Sequence, residues 1–289
     1  MQKNKWICDV IAVILISLLG LIAGKFTIGF VISIPLNLIS GSFYPQLTDE
    51  TINVITDNFS FLMIIIIVYL YARKKRNSDL HSLYFSNDKM FKALIGLSAG
   101  MIICLVVCFT AIISGNLVLK YNHFYTFTVL MTFISAIVQA SAEELLFRGF
   151  LVEKLVNNYS MKMAVITSGI LFSVLHAFNP GVTVLAILNI TIVGFAFSAL
   201  AVAFNSLYFI IGVHIAWNFT EEIILGLPNS GITFPEPVFE IVQSSNSILY
   251  NRTFGIEATI QTMVVWGLIF AISFYRLIKK NKSKEEHSL

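Results

Sequence analysis

Apolar runs of bilayer-crossing length recur from one end of this 289-residue sequence to the other. A spanning helix needs about 20 consecutive apolar residues, and in lipid the backbone must satisfy its own polar groups. The chain is 57% apolar and 12% charged, where soluble domains average about 45–50% and 25%. A polytopic membrane protein follows, and no polar segment is long enough for a separate soluble domain. The expected spans are Ile7–Gly24, Phe59–Ala72, Phe91–Ser114, Tyr125–Val156, Met161–Phe178, Val184–Phe204, Leu207–Leu225 and Ala258–Ile278. Phe26–Ile39, interrupted by Pro35, either extends the first helix or forms an interfacial segment. Ser40–Asp57 reads as a turn-rich loop. The expected fold is thus all-α: one domain over residues 1–289, with about eight transmembrane helices around a buried polar site.

Basic residues gather at Lys3 and Lys5, at Arg73–Arg76 with Lys89 and Lys92, at Arg148, Lys154 and Lys162, and from Arg276 to Lys284. Each cluster abuts an apolar span, which excludes nucleic acid as the partner and fits loops on the cytoplasmic side. Only Lys25, Lys120 and Arg252, of 19 basic residues, fall on the far side. Both termini are therefore expected in the cytoplasm of a multi-pass cell-membrane protein. The basic start and first apolar run lack a convincing cleavage site, so they read as an uncleaved span rather than a signal peptide. Cys8, Cys104 and Cys108 are too scattered for a disulfide framework and read as small buried apolar side chains.

Inside the fourth run, Ala136–Glu153, lie Glu143, Glu144 and Arg148. Each would cost roughly 2.5–3.5 kcal/mol at a helix centre, so the three together cost on the order of 8 kcal/mol before pairing. Glu144 and Arg148 are i,i+4 and face each other, which suits a structural ion pair. Glu143 is turned about 100° away and has no partner on its own helix. A carboxylate so placed suits a general base or acid, or a plain hydrogen bond to another helix.

His176 ends the fifth span and His214 lies in the seventh, with Asn218 one turn on. Polar side chains in such spans must meet polar partners or water, and three helices meeting explains all of them together. Glu143 and an imidazole could deprotonate a water, while a second imidazole and an amide could donate to an oxyanion. Alternatively Glu143, His176 and His214 could hold zinc with a fourth position for water, although the H-E-x-x-H spacing is absent. Glu221 and Glu222, two turns beyond His214, read as interfacial; Asp9, Asp57 and Asn189 read as interfacial or interhelical. One tension remains in this reading. Glu143 falls in the cytoplasmic half of its span and His176 near the outer end of its own, so long tilted helices or a displaced boundary are needed to join them.

Glu143-Glu144-x-x-x-Arg148, Phe172-x-x-x-His176 and His214-x-x-x-Asn218 resemble the three motifs of the CPBP family, the CaaX proteases and bacteriocin-processing enzymes also called Abi. The resemblance covers about residues 133–225, within a family-like core of about 125–225. It implies an intramembrane endopeptidase, commonly labelled a metalloprotease and also read as a metal-free glutamate enzyme, so zinc is a candidate cofactor. By position, Glu143 and His176 would activate water, His214 and Asn218 would form the oxyanion site, and Glu144, Arg148 and Phe172 would support them. The implied substrate is a membrane-associated peptide or protein tail. The alternative is a non-catalytic scaffold or bacteriocin self-immunity protein. The abundance of Ile, Phe, Asn and Lys points to a low-GC bacterium, whose relatives would favour a small peptide over a prenylated tail.

Overall fold

Four helix starts are marked by a hydroxyl side chain. In the computed structural model, which describes residues 5–41, 43–44, 47–74 and 89–286, Thr48, Ser160, Thr183 and Ser206 each accept a backbone N–H two or three residues into the helix that follows. Such caps satisfy one of the orphan donors of a first turn. The basic residues Lys3, Lys75 and Arg76 and the carboxyl-terminal His287, Ser288 and Leu289 lie outside the described residues.

Helices α1 (Lys5–Gly24) and α2 (Phe30–Ser40) are joined by a π-helical turn at Lys25–Gly29. They form one 36-residue rod, so Phe26–Ile39 extends the first helix, with Pro35 carried inside it. The rod is followed by α3 (Asp49–Ser60) and α4 (Leu62–Lys74). Much of the expected Ser40–Asp57 loop is thus helix. Thr48 caps it, and Asp49 and Glu50 occupy its first turn, where negative charge is favoured. Lys25 pairs with Asp57 at 2.9 Å across the two rods.

Next come α5 (Lys89–Ile113), β1 (Leu117–Tyr121), α6 (Thr126–Glu144), a π-helical stretch Leu145–Val152 and α7 (Glu153–Asn158). The last three make a continuous 33-residue rod. Helices α8 (Met161–His176), α9 (Val184–Phe204) and α10 (Leu207–Asn218) follow, and a π-helical end, Phe219–Ile224, extends α10. The chain closes with β2 (Phe239–Ser244), a 3-10 turn at Ile256–Ala258 and α11 (Ile260–Glu286). β1 and β2 pair antiparallel, Leu117 opposite Ser244 and Tyr121 opposite Phe239, a small sheet absent from the sequence reading.

Among the described residues, six helices are long and apolar enough to cross a membrane. The protein is therefore a multi-pass, helical membrane protein. The expected fifth span is a helix of only 16 residues, and the seventh is α10 with its π-helical end. Aromatic, leucine and isoleucine side chains such as Phe26, Phe30, Leu38, Met90 and Phe109 lie on the outside, as lipid contact requires. Cys8 is exposed, contrary to expectation, because α1 turns that face outward; Cys104 and Cys108 are buried as expected.

Two seams set the position of the polar residues. Helices α5 and α10 touch backbone to backbone at Gly100 and Gly212. A methyl group at either would collide with the carbonyl of Val213 or of Ala93, and small residues are what permit such an approach between membrane helices. Near the other end of the long rod, Lys154 reaches Asp9 at 2.6 Å and the Tyr71 hydroxyl at 3.2 Å. That contact pins α1 and α4 to α7.

Candidate active site

The length of the α6–α7 rod and the shortness of α8 remove the mismatch in depth. Glu143 stands fifteen residues before Asn158, and His176 fifteen residues after Met161. At 1.5 Å per residue each is about 22 Å from the turn at 159–160. The two residues are level because the antiparallel helices share one turn. His214 and Asn218 come in on α10. Glu143, Phe172, His176, His214 and Asn218 all line a single cavity of about 430 Å³.

Glu144 and Arg148 lie beneath it, both fully buried. Arg148 Nη1 donates to Glu144 Oε1 at 2.8 Å, and Nη2 donates to the Gly194 carbonyl at 3.4 Å. The guanidinium is also walled by the rings of Phe172 at 4.6 Å, Phe197 at 5.2 Å and Phe147 at 5.7 Å, where a cation over an aromatic face gains electrostatic attraction. The same Glu144 oxygen takes His214 Nδ1 at 2.9 Å. A carboxylate only accepts, so Nδ1 carries a proton and Nε2 is the free ring nitrogen. His176 follows the same logic. Its Nδ1 lies 2.8 Å from the Phe172 carbonyl, which fixes the proton there and leaves Nε2 as the acceptor of the neutral ring.

Glu143 Oε1 accepts from Gln139 Nε2 at 2.7 Å. Its Oε2 is buried without a hydrogen-bond partner, and His214 Nε2 stands 3.9 Å away. Native proteins rarely leave a buried carboxylate oxygen unpaired, and such an atom calls for an explanation. The π-helical stretch begins directly after Glu144, and a second begins directly after Asn218. Wider turns of this kind recur at functional sites.

Four cavity residues escaped the sequence reading. The first is Gln139, bonded to both Glu143 and Asn218. The others come from the 226–257 connection, which folds back over the ends of α8 and α10. Asn229 donates to Asn218 Oδ1 at 3.2 Å, and Glu257 Oε2 takes both the backbone N–H and the hydroxyl of Ser230. Burial pushes the Glu257 carboxyl above the ordinary carboxylate range, partly offset by the Ser230 hydrogen bonds and the nearby His176. Glu221, expected at an interface, is instead fully buried and accepts from Ile256 N and Asn229 Nδ2. Asp9, Asp57 and Asn189 are interhelical, Asn189 donating to the carbonyls of Glu257 and Thr259.

The candidate zinc set, Glu143, His176 and His214, lines the cavity without being gathered into a ligand cluster. Among the described residues, no three His, Cys, Asp or Glu side chains converge as metal ligands. His214 spends Nδ1 on Glu144, and its Nε2 stands 3.9 Å from Glu143 Oε2. No step below is routed through a metal.

The helices of this multi-pass protein thus bring Glu143, His176, His214 and Asn218 to one cavity. Residues 125–220, from the start of α6 to just past Asn218, match the family described as type II CAAX prenyl endopeptidase Rce1-like. That supports a CAAX-type intramembrane protease acting on peptide substrates in a membrane. No curated protein and no solved structure matches the chain.

Proposed function

We propose that the protein is an endopeptidase whose water is activated by Glu143 and His176, with His214 and Asn218 as oxyanion donors. The observation that carries this reading is the unpaired Oε2 of Glu143 on the cavity wall it shares with both imidazoles. A water held there by Glu143 Oε2 and His176 Nε2 loses its proton as it attacks the peptide carbonyl. The developing oxyanion takes hydrogen bonds from Asn218 Nδ2 and from His214 Nε2 when that ring is protonated. Glu144, held by Arg148, neutralises the charge on His214. The proton first taken by Glu143 passes to the leaving amine, and the products are a carboxylate and a new amino terminus.

The substrate is a membrane-associated peptide or protein tail. The cavity wall supports this, since Leu21, Phe61, Ile64, Phe147, Leu175 and Trp217 supply an apolar surface beside the polar end. The test uses the purified full chain in liposomes with a peptide library that includes farnesylated Cys-a-a-X tails, read by mass spectrometry. Wild type should cut and Glu143→Gln should lose about 10²-fold or more, the size of a lost general base. Equal cutting by the two would remove Glu143 from the role. Turnover that survives 1,10-phenanthroline is expected; turnover abolished by chelation and restored by zinc would overturn the metal-free form.

A further inference from the structure

Four hydrogen bonds form one unbroken line through five side chains, from Glu143 to Glu221. Gln139 Nε2 donates to Glu143 Oε1 at 2.7 Å, and Asn218 Nδ2 donates to Gln139 Oε1 at 3.2 Å. Asn229 Nδ2 donates to Asn218 Oδ1 at 3.2 Å and to Glu221 Oε2 at 3.4 Å. Of the two ends, Glu143 sets the direction, because a carboxylate accepts and does not donate. Every amide between them is therefore fixed in direction. Glu143 can take only an N–H from Gln139, which leaves Gln139 Oε1 to accept from Asn218 and Asn218 Oδ1 to accept from Asn229. Asn218 must then turn its NH2 group towards Gln139, and Gln139 turns its own towards Glu143. An amide flipped at any point would set carbonyl against carbonyl or carbonyl against carboxylate.

The direction matters for chemistry. An amide offers a hydrogen on one side and a lone pair on the other, and only the NH2 side favours an oxyanion. Asn218 Nδ2 carries two hydrogens and spends one on Gln139, so one remains for a ligand in the cavity it lines. Gln139 also fixes the carboxylate of Glu143 by its Oε1, leaving Oε2 as the unpaired oxygen.

We propose that Gln139, Asn229 and Glu221 are positioning residues that lock the amide direction of Asn218 and the carboxylate of Glu143. The proposal rests on the roles given above to Glu143 and Asn218. Two members of the line, Asn229 and Glu221, lie beyond the segment that matches the family, which ends at residue 220. Glu221 is further held in place by Ile256 N at 3.2 Å, so the 226–257 connection contributes to the aim of the site.

The test compares Gln139→Met and Glu221→Gln in the full chain in liposomes, using the library peptide that wild type cuts fastest. Methionine keeps the length of Gln139 and removes both bonds. Glutamine keeps the shape of Glu221 and can turn its NH2 group to Asn229, withdrawing the acceptor that holds that amide. Each should lower kcat about tenfold or more with KM within about twofold, as loss of a transition-state interaction does. In an Asn218→Ala background the Glu221→Gln effect should shrink to less than about twofold, since coupled residues are non-additive. A purely structural role would instead lower the melting temperature and cost the same in both backgrounds, and that result overturns the proposal. If wild type cuts nothing, the functional reading has failed on its own. The relay is then judged by thermal unfolding of the same single and double variants, where additive shifts would overturn it and non-additive shifts would support it.

Discussion

A buried arginine is the single residue whose loss the protein can least absorb. Arg148 balances Glu144, and both have no exposed surface. Removing one partner of a buried pair leaves the other charge stranded, at a cost of about 3–5 kcal/mol. Arg148→Met should therefore unfold the protein at markedly lower temperature, followed by intrinsic tryptophan fluorescence in detergent. Glu144→Gln should be milder, because the amide oxygen still accepts from Arg148 Nη1. An Arg148→Met variant with wild-type stability would show that Glu144 is neutral in the fold. Helical arithmetic was enough to find this pair in the sequence, since i,i+4 spacing fixes which side chains meet within one helix. It could not find Gln139 as a partner of Asn218, because that meeting depends on how α6 and α10 cross. Nor could it place Glu221, whose partners Asn229 and Ile256 come from a loop that folds back over the helix end.

At the scale of elements, the position of His214 depends on how closely α10 lies against α5. Gly100 and Gly212 permit backbone contact there, and a single methyl group at either meets a carbonyl. Gly212→Ala should push α10 outward and carry His214 away from Glu144, whose bond to it is 2.9 Å. Misplacement of a catalytic group by about 1 Å can cost on the order of 10²-fold in rate. The measurement is kcat/KM with the melting temperature alongside, and a variant that keeps both would show that the seam has slack. The sequence displayed this seam only as isolated glycines in apolar runs. It displayed the helices themselves well: α5 and α9 fall at their expected bounds, since apolar length and turn residues are local signals. The start of α3 was also marked, by Thr48, Asp49 and Glu50, but its mixed polarity hid it among turn residues. Depth was misjudged because it is a relation between helices. A 33-residue rod beside a 16-residue helix cannot be inferred from either length alone, because the turn that levels Glu143 with His176 joins their far ends.

Across the whole molecule, the family segment does not enclose the site by itself. Residues 125–220 supply the acids, imidazoles and Asn218, but the cavity is also walled by Ser17, Leu21, Asn58, Phe61 and Ile64 from the amino-terminal rods. Those rods are tied to the core by Asp9 with Lys154 and to each other by Lys25 with Asp57. The division of labour is physical. Charges deep in a bilayer are tolerated where they pair or face a wet cavity, so the polar chemistry is concentrated in the tightly packed centre. The apolar part of the amino-terminal wall, Leu21, Phe61 and Ile64, can vary in shape without removing the acid and imidazoles. Leu21 and Ile64 should then add to the selectivity for the substrate's apolar part that Phe147, Leu175 and Trp217 supply from the matched segment. Leu21→Trp narrows the cavity from that side and should raise KM for the bulkiest library peptides by about 10-fold or more, the scale on which pocket shape discriminates apolar groups. Short, slender peptides should be cut at nearly the wild-type rate, because Glu143, His176, His214 and Asn218 keep their places. A uniform loss across all peptides would mean that the wall holds up the site instead of sorting what enters it.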